Sequence, residues 1–421
     1  MTAPDESFSR QPEAELPQVP LLELRAGLPP LVDAAPQLVQ VVEDFGAGTG
    51  PVAIDAERAS GHRYSQRAYL VQVRRAGAGS VLIDPVDFGD VPNESLRPLA
   101  EALADEEWVL HAASQDLACL AELGLRPRRL FDTELAGRLL HYPRVGLAVM
   151  VEELLGYRMR KEHSAVDWSK RPLPESWLLY AALDVEVLLE LRDVLAEQLH
   201  NSGKAEWARQ EFAAWVSMPA AGPRVDPWRR TSGLHRVRGQ RGLAVVKAMW
   251  EQRDELARQR DTMASRILPD AAIVEAAATA PASRQALGRL AGFSSRGAQR
   301  YLKQFYAALA TAAALPSEKL PPLAARFEGP PPARNWPHKF PEAAARLARC
   351  REVLRGLAAL HDVPQENLLA PDAVRRLAWR PPETITKQTV TAALAGAGAR
   401  PWQVELTAEA LADALADALG A

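Results

Sequence analysis

The chain has 421 residues, 48% of them hydrophobic and 24% charged, which is ordinary for a globular protein and predicts two to four domains. The net charge of −3 does not indicate a polyanion-binding protein as a whole, and no apolar run is long enough for a transmembrane helix. Two cysteines, Cys119 and Cys350, are too few for a disulfide framework or a structural zinc cluster. The N-terminal residues do not resemble a signal peptide, and together with the cysteine count they predict a reducing, cytoplasmic compartment without membrane contact.

The first half of the chain predicts an α/β domain over residues 31–205, after a Pro-rich, acidic and disordered segment over residues 1–30. Three antiparallel strands come first, and two further strands then alternate with helices. The predicted strands are 51–57, 68–73, 81–84, 108–111 and 129–131. The predicted helices are 36–45, 94–104, 115–123, 133–140, 146–155 and one long helix from about 175 to about 200. This order predicts a mixed sheet with helices on both faces, the ribonuclease-H-like arrangement, although other α/β sheets fit the same pattern.

Strand signals end at Gly203, and the second half of the chain predicts helices alone. A linker over residues 223–240 leads to a helical domain over residues 234–313, and a Pro-rich connector leads to a second helical domain over residues 336–421. The helices predicted in the first of these domains are 244–259, 270–278, 283–290 and 296–310.

Short sequences recur about 101 residues apart in this half. Arg260-Asp261 and Ile267-Leu268 are echoed by His361-Asp362 and Leu368-Leu369. Leu290-Ala291-Gly292 is echoed by Leu394-Ala395-Gly396. The pattern favours a duplicated helical module.

Charge is distributed unevenly along the chain. Residues 1–50 carry eight acids against two arginines, whereas residues 222–310 carry sixteen basic residues against seven acids. Residues 281–310 contain five basic residues and no acid. Such a one-sided surface can hold a phosphate backbone, and the alternative is a solvated helix surface. The candidate nucleic-acid-binding residues are Arg296, Arg300 and Lys303.

Four acidic residues are candidates for a metal site. Asp55 and Glu57 lie two positions apart on the first long strand and therefore point to one face. Asp116 follows the fourth strand, where the alternative is an ordinary helix cap. Asp184 lies on the long helix, one turn after Tyr180, among apolar neighbours. If the four carboxylates meet, they repel one another unless cations neutralise them.

Hard oxygen ligands of this kind favour Mg²⁺ or Mn²⁺ over zinc. Two such ions about 3.5–4 Å apart stabilise both the attacking and the leaving oxygen in phosphodiester hydrolysis. Tyr180 is placed to orient the attacking water through its hydroxyl. Taken singly, each residue has an ordinary structural explanation; Asp132 is favoured as a helix cap, His111 as a core or hydrogen-bonded residue, and Cys119 as a buried apolar residue.

The conjunction of Asp55-x-Glu57, Asp116 and Tyr180-x-x-x-Asp184 resembles the three exonuclease motifs of the DEDD superfamily, in its Tyr-type subgroup because residue 179 is Leu and not His. Residues 167–173 and 70–72 are similar to bacterial ribonuclease D. Residues 234–313 resemble the HRDC domain that this family shares with RecQ helicases, and residues 336–421 resemble a second, diverged copy. The sequence departs from the family at Arg58, where an aromatic residue usually helps to hold the terminal nucleotide, and in a longer loop over residues 59–63.

The resemblance implies a 3′→5′ exoribonuclease that releases nucleoside 5′-monophosphates, with tRNA precursors as substrates and no obligate protein partner. Asp55, Glu57, Asp116 and Asp184 would bind two Mg²⁺ or Mn²⁺ ions, and Tyr180 would position the water. Two alternatives stay open at this point. One is a DNA 3′→5′ exonuclease in repair, since the same site hydrolyses either polymer. The other is a nucleic-acid-binding scaffold with an inactive nuclease fold.

Overall fold

In the computed structural model, the described residues are 19–86, 88, 95–160, 166–219, 222, 224–324 and 329–420. Within them, a mixed α/β domain precedes an all-helical region, which confirms the predicted fold class. The strands are β1 (Leu31–Val32), β2 (Thr49–Arg58), β3 (Ala68–Ala76), β4 (Gly79–Ile83), β5 (Glu107–Leu110) and β6 (Arg129–Asp132).

The described strands form one sheet in the order β1-β4-β3-β2-β5-β6. Strands β2, β3 and β4 pair antiparallel, as predicted, whereas β5 and β6 continue from β2 in parallel. Val52, Ala53 and Ile54 on the central strand β2 are fully buried, as expected for a strand covered on both faces. Strand β1, which pairs in parallel with β4, was not predicted, because two residues are too short for a recognisable alternation.

The helices of this domain are α1 (Ala35–Ala47), α2 (Arg97–Ala102), α3 (Leu117–Glu122), α4 (Thr133–Leu139), α5 (Leu147–Leu155), α6 (Glu175–Glu186), α7 (Leu188–Asn201) and α8 (Ala205–Val216). The prediction of one long helix is wrong, because the chain breaks at Val187, whose φ of −118° is not helical. The break follows Glu186, a buried carboxylate that accepts a 3.2 Å hydrogen bond from Arg74.

The predicted disorder at the N-terminus falls largely on residues 1–18, which lie outside the described residues. Residues 20–22 depart from that prediction. The Leu22 amide donates a 2.9 Å hydrogen bond to the Arg158 carbonyl, and the Arg158 amide donates one of 2.8 Å to the Pro20 carbonyl. Leu22 is buried, so this short segment is held by the domain core. The predicted start of the helix at residue 94 likewise lies outside the described residues, and α2 begins at Arg97.

The first helical module, as we call it, consists of α9 (Gly239–Arg260), α10 (Ala264–Ile267), α11 (Asp270–Thr279), α12 (Arg284–Gly288), α13 (Arg296–Arg300) and α14 (Leu302–Ala313). Part of the predicted linker belongs to it, because Trp228 is buried in the core of the module. The predicted helix over residues 296–310 is interrupted at Tyr301. Gly292 allows a close approach to α11, since a Cβ atom there would lie 2.4 Å from the Ala272 Cβ atom.

The second helical module consists of α15 (Trp336–Lys339), α16 (Pro341–Leu360), α17 (Gln365–Leu368), α18 (Pro371–Trp379), α19 (Lys387–Gly396) and α20 (Pro401–Gly420). Like the first, it has a long helix, an aspartate at positive φ, a one-turn helix and a medium helix in that order; Asp261 has φ 42° and Asp362 has φ 48°. Gly396 is not equivalent to Gly292, because a Cβ atom at Gly396 would meet open space. The two modules therefore share their first half and diverge in the second.

Both modules pack against the α/β domain. The first contacts the loop between β2 and β3, where Tyr64 packs on the core of the module. The second contacts α8, where the Trp207 and Trp402 rings stack with their centroids 4.6 Å apart. In the part of the chain that the structure describes, no helix has the length and hydropathy to cross a lipid bilayer.

Candidate active site

Strand β2 places Asp55 and Glu57 on the floor of a cavity of about 310 Å³. Both residues pair with β3, Asp55 opposite Gln72 and Glu57 opposite Leu70, and the alternation of the strand turns their side chains to the same face. The register shifts between Glu57 and Arg58. Such an irregularity re-aims a side chain, and Arg58 consequently lines the same cavity as Glu57.

Helix α6 brings Tyr180 and Asp184 to this floor from the other side. Four residues apart on one helix face, both side chains line the cavity. Carboxylate oxygens of Asp55, Glu57 and Asp184 all lie within 4.8 Å of one another. The structure thus brings together three of the four predicted ligands and the predicted tyrosine.

The fourth acid, Asp116, lines the cavity but stands apart from this group of three. Its Oδ1 atom lies 3.5 Å from the Arg58 Nε atom, so Arg58 pairs with it. Asp116 precedes α3 but its side chain makes no capping hydrogen bond, so the helix-cap alternative is wrong. Asp116 is therefore a buried acid whose carboxylate form is favoured by the nearby Arg58.

Asp132 is the cap that the sequence predicted, and it also shapes the site. Its carboxylate accepts hydrogen bonds from the Glu134 and Leu135 amides at the start of α4. It further accepts 3.0 Å hydrogen bonds from the Ala112 and Ala113 amides, in the turn that leads to Asp116. The sequence carried a signal for the cap, but none for the second pair of bonds, which join segments about twenty residues apart.

The acidic groups hold protons unusually tightly. Burial, and then repulsion by Asp55, Asp184 and Asp116, raises the pKa of Glu57 to about 10. Burial and repulsion by Asp55 raise the pKa of Asp116 to about 8, and the same two causes raise the pKa of Asp184. Burial raises the pKa of Asp55 as well. Before a cation neutralises its charge, a site for hard divalent cations has crowded carboxylates with raised pKa values, so these residues fit a divalent metal ion.

Tyr180 keeps its proton at neutral pH. Burial, followed by repulsion from Asp184 and Glu57, raises the pKa of its hydroxyl further above the usual value of 10. A protonated hydroxyl beside a carboxylate cluster can hydrogen-bond a water molecule without adding charge to the cluster.

His111 and Gln115, which were not predicted as site residues, also line the cavity. His111 is hydrogen-bonded, as the sequence favoured, with its Nδ1 atom 2.9 Å from the Thr133 Oγ1 atom. Burial lowers the pKa of His111 to about 4, so the ring is neutral near pH 7. Cys119 is buried and free, as predicted.

The three candidate basic residues lie on the first helical module, not at the cavity. Arg296 and Arg300 are on α13 and Lys303 is on α14, and all three are exposed. Arg300 lies over the Tyr301 ring, with its guanidinium carbon 5.6 Å from the ring centroid.

Comparison with known proteins identifies the family. Residues 31–200 match the family model described as 3′-5′ exonuclease, residues 242–309 match the HRDC domain, and residues 329–415 match the 3′ to 5′ exonuclease C-terminal domain. Ribonuclease D of Gluconacetobacter diazotrophicus is 34% identical over 338 residues, which cover 78% of this chain and 81% of that protein. The chain belongs to the ribonuclease D family. It is a 3′→5′ exoribonuclease, and its substrate is RNA.

Solved structures agree with the family assignment. A protein from Bifidobacterium adolescentis is 34% identical, with a TM-score of 0.86 over 95% of this chain and 100% of that one. The ribonuclease D of Escherichia coli, described as an exoribonuclease involved in structured RNA processing, is 25% identical. Its TM-score is 0.67 over 92% of this chain and 98% of that one, so the likeness extends through both helical modules.

Proposed function

We propose that Asp55, Glu57, Asp116 and Asp184 hold two divalent cations, Mg²⁺ or Mn²⁺, and that this site removes nucleotides from the 3′ ends of tRNA precursors. The observation that carries the proposal is the convergence of three carboxylates within 4.8 Å beside Tyr180. When bound, the cations supply charge stabilisation for the attacking and leaving oxygens of a phosphodiester. The products are nucleoside 5′-monophosphates.

The protein fixes the positions of the ligand oxygens and keeps the Tyr180 hydroxyl uncharged. Asp55 and Glu57 are fixed by the central strand of the sheet, and Asp184 by a helix packed on it, so the ligand oxygens need little reorganisation. Tyr180, protonated and one helical turn from Asp184, holds the water that attacks the phosphodiester of the 3′-terminal nucleotide. Asp116, now paired with Arg58, would be the fourth ligand side chain when a cation is bound.

The exposed basic residues of the first helical module give the enzyme its grip on longer RNA. Arg296, Arg300 and Lys303 lie in a segment without acids, and contacts to phosphates at such a surface weaken as salt increases. Arg296→Glu combined with Arg300→Glu is expected to raise KM for structured RNA and to leave kcat on short RNA oligomers unchanged. Equal loss on both substrates would contradict this division of labour. Lys319→Glu, an exposed charge reversal outside the segment, is the matched control.

Structured RNA as the substrate is supported by the likeness, over both modules, to the Escherichia coli ribonuclease D, an exoribonuclease involved in structured RNA processing. The test is a comparison of 3′-extended tRNA with DNA of matched sequence, each with Mg²⁺ or Mn²⁺, with chromatography of the products. Nucleoside 5′-monophosphates released from RNA faster than from DNA are expected. Faster degradation of DNA would indicate that DNA is the substrate and that the enzyme acts in DNA repair. A halt before the mature tRNA end is reached would exclude tRNA maturation.

A further inference from the structure

The loop between β2 and β3, residues 59–67, which we call the bridging loop, joins the cavity to the first helical module. Ser60, near its start and two residues after Arg58, also lines the cavity. Tyr64, in the middle, packs on the core of the module. One short loop thus contacts both the place where the RNA end is cleaved and a separate helical unit.

On its outer side, the bridging loop is held by the end of α9 and the residues that follow it. The Ser65 amide donates a 2.8 Å hydrogen bond to Asp261 Oδ1, and the Tyr69 hydroxyl donates one of 3.2 Å to Asp261 Oδ2. The Met263 amide donates a 3.1 Å bond to the His62 carbonyl. The Tyr64 hydroxyl donates to Asp254, 3.1 Å from both carboxylate oxygens.

On its inner side, the same loop is tied to the segment that forms the neighbouring wall of the cavity. The Arg63 Nε atom donates a 2.7 Å hydrogen bond to the Ser169 hydroxyl, and the His62 ring lies 3.6 Å from Asp167. Val166, in this segment, lines the cavity. A chain of direct contacts therefore leads from Asp261 through the bridging loop to the cavity wall.

Asp261 is well suited to this role. Its φ of 42° lies in the left-handed region that aspartate, asparagine and glycine tolerate best, so the residue turns the chain at the end of α9 and aims its carboxylate at the loop. Burial alone would raise the pKa of Asp261, but the hydrogen bonds from Ser65 and Tyr69 lower it below its usual value. The charged carboxylate is thus the form that binds the bridging loop.

The second module provides an internal comparison. Asp362 occupies the corresponding corner with φ 48° and also contacts the α/β domain, through an Oδ1 atom 2.7 Å from His141 Nδ1. Its carbonyl accepts a 2.6 Å hydrogen bond from Lys204 Nζ. Neither His141 nor Lys204 lines the cavity. The two corners make similar docking contacts, but only that of Asp261 leads to the site.

We propose that Asp261 is a positioning residue for the active site: it fixes the bridging loop and the adjoining cavity wall in the arrangement that orients the 3′-terminal nucleotide. This inference rests on the proposed function of the cavity. It gives the first helical module a second task besides its grip on long RNA, because Asp261 holds the loop that carries Ser60 at the cavity.

The test compares Asp261→Gly with Asp362→Gly in the full chain. Glycine suits the positive φ at both positions, so each variant removes side-chain bonds and leaves the backbone unstrained. Asp261→Gly is expected to lower kcat between about tenfold and about a hundredfold, even on a short RNA oligomer, because a misplaced reacting group costs rate directly. Asp362→Gly is expected to keep the wild-type kcat, and Asp261→Asn, which retains one acceptor oxygen, to recover most of it.

Two further measurements separate positioning from damage to the fold. Mn²⁺ affinity by calorimetry is expected to be the same in Asp261→Gly and the wild type, because β2 and α6 carry the ligands, and thermal unfolding should be similar in the two glycine variants. A kcat for Asp261→Gly equal to that of Asp362→Gly would overturn the inference. So would a defect confined to KM on structured RNA. If the wild type itself fails to degrade RNA, it is the proposed function that fails.

Discussion

Replacing Asp184 by asparagine is expected to make the metal-free protein more stable while it abolishes activity. Two unit charges 4.8 Å apart repel by about 3.5 kcal/mol at an effective dielectric constant of about 20. Asp184 takes part in two such pairs, with Asp55 and with Glu57. Asparagine keeps the shape and removes the charge. Because Glu57, with a pKa of about 10, still holds most of its proton at about pH 9, only the pair with Asp55 counts there, and we expect a gain in the free energy of unfolding of about 3 kcal/mol without metal.

The gain has a definite pH dependence. Because the pKa of folded Glu57, about 10, exceeds its ordinary value of 4.5, its contribution to stability is complete below about pH 4.5 and is lost as the pH rises toward about 10. Asp184 and Asp55, whose pKa values are also raised, act in the same direction. The metal-free wild type should therefore lose stability as the pH rises, and Asp184→Asn should lose less, with a difference below about 1 kcal/mol at about pH 5.

The assay is urea unfolding in EDTA and in Mn²⁺, followed by a fluorescence probe of the α/β domain. A free cation concentration of one hundred times Kd should stabilise the wild type by about 2.7 kcal/mol, but the variant much less. Asp193→Asn, which removes an exposed acid on α7, is the matched control and should change little. An Asp184→Asn protein that is no more stable than the wild type in EDTA at about pH 9 would refute the predicted repulsion between Asp184 and the carboxylates next to it.

Three further substitutions test individual contacts. Tyr180→Phe should lower kcat about tenfold to a hundredfold with unchanged Mn²⁺ affinity, because only the hydroxyl that holds the water is lost; an unchanged kcat would contradict that role. Arg58→Ala should raise Mn²⁺ affinity in calorimetry, because it removes the cation 3.5 Å from Asp116, and Arg58→Lys should not; a weaker affinity in the alanine variant would argue against competition at Asp116. Arg171→Met should cost about 3–5 kcal/mol in urea unfolding, since it leaves the buried Asp84 carboxylate without its cation, and a loss below about 1 kcal/mol would count against this ion pair.

The sequence was informative where local periodicity determines which face a side chain occupies. The spacing of Asp55 and Glu57 on a strand, and of Tyr180 and Asp184 on a helix, was enough to predict their shared faces. The antiparallel pairing of β2, β3 and β4 followed from three strand segments in succession. The cap at Asp132 followed from its place between a strand and a helix.

The missed features depend on contacts between distant segments. Arg58 should point away from Glu57 by strand alternation, and only the register shift brings it to Asp116. The break at Val187 directly follows Glu186, whose partner Arg74 is 112 positions away in the chain. The docking of Asp261 on the bridging loop joins two domains, and no local pattern marks it. The domain boundaries, the roles of the site residues and the cytoplasmic location stay predictions.

The most direct test of the central claim is a time course on 5′-labelled RNA with the wild type and Asp184→Asn, first in EDTA and then after addition of Mg²⁺ or Mn²⁺. The account predicts intact RNA in EDTA, products that shorten one nucleotide at a time from the 3′ end once metal is added, and no shortening by the variant. Degradation in EDTA, internal cleavage, or full activity of the variant would contradict a metal-dependent 3′→5′ exonuclease site built from these carboxylates.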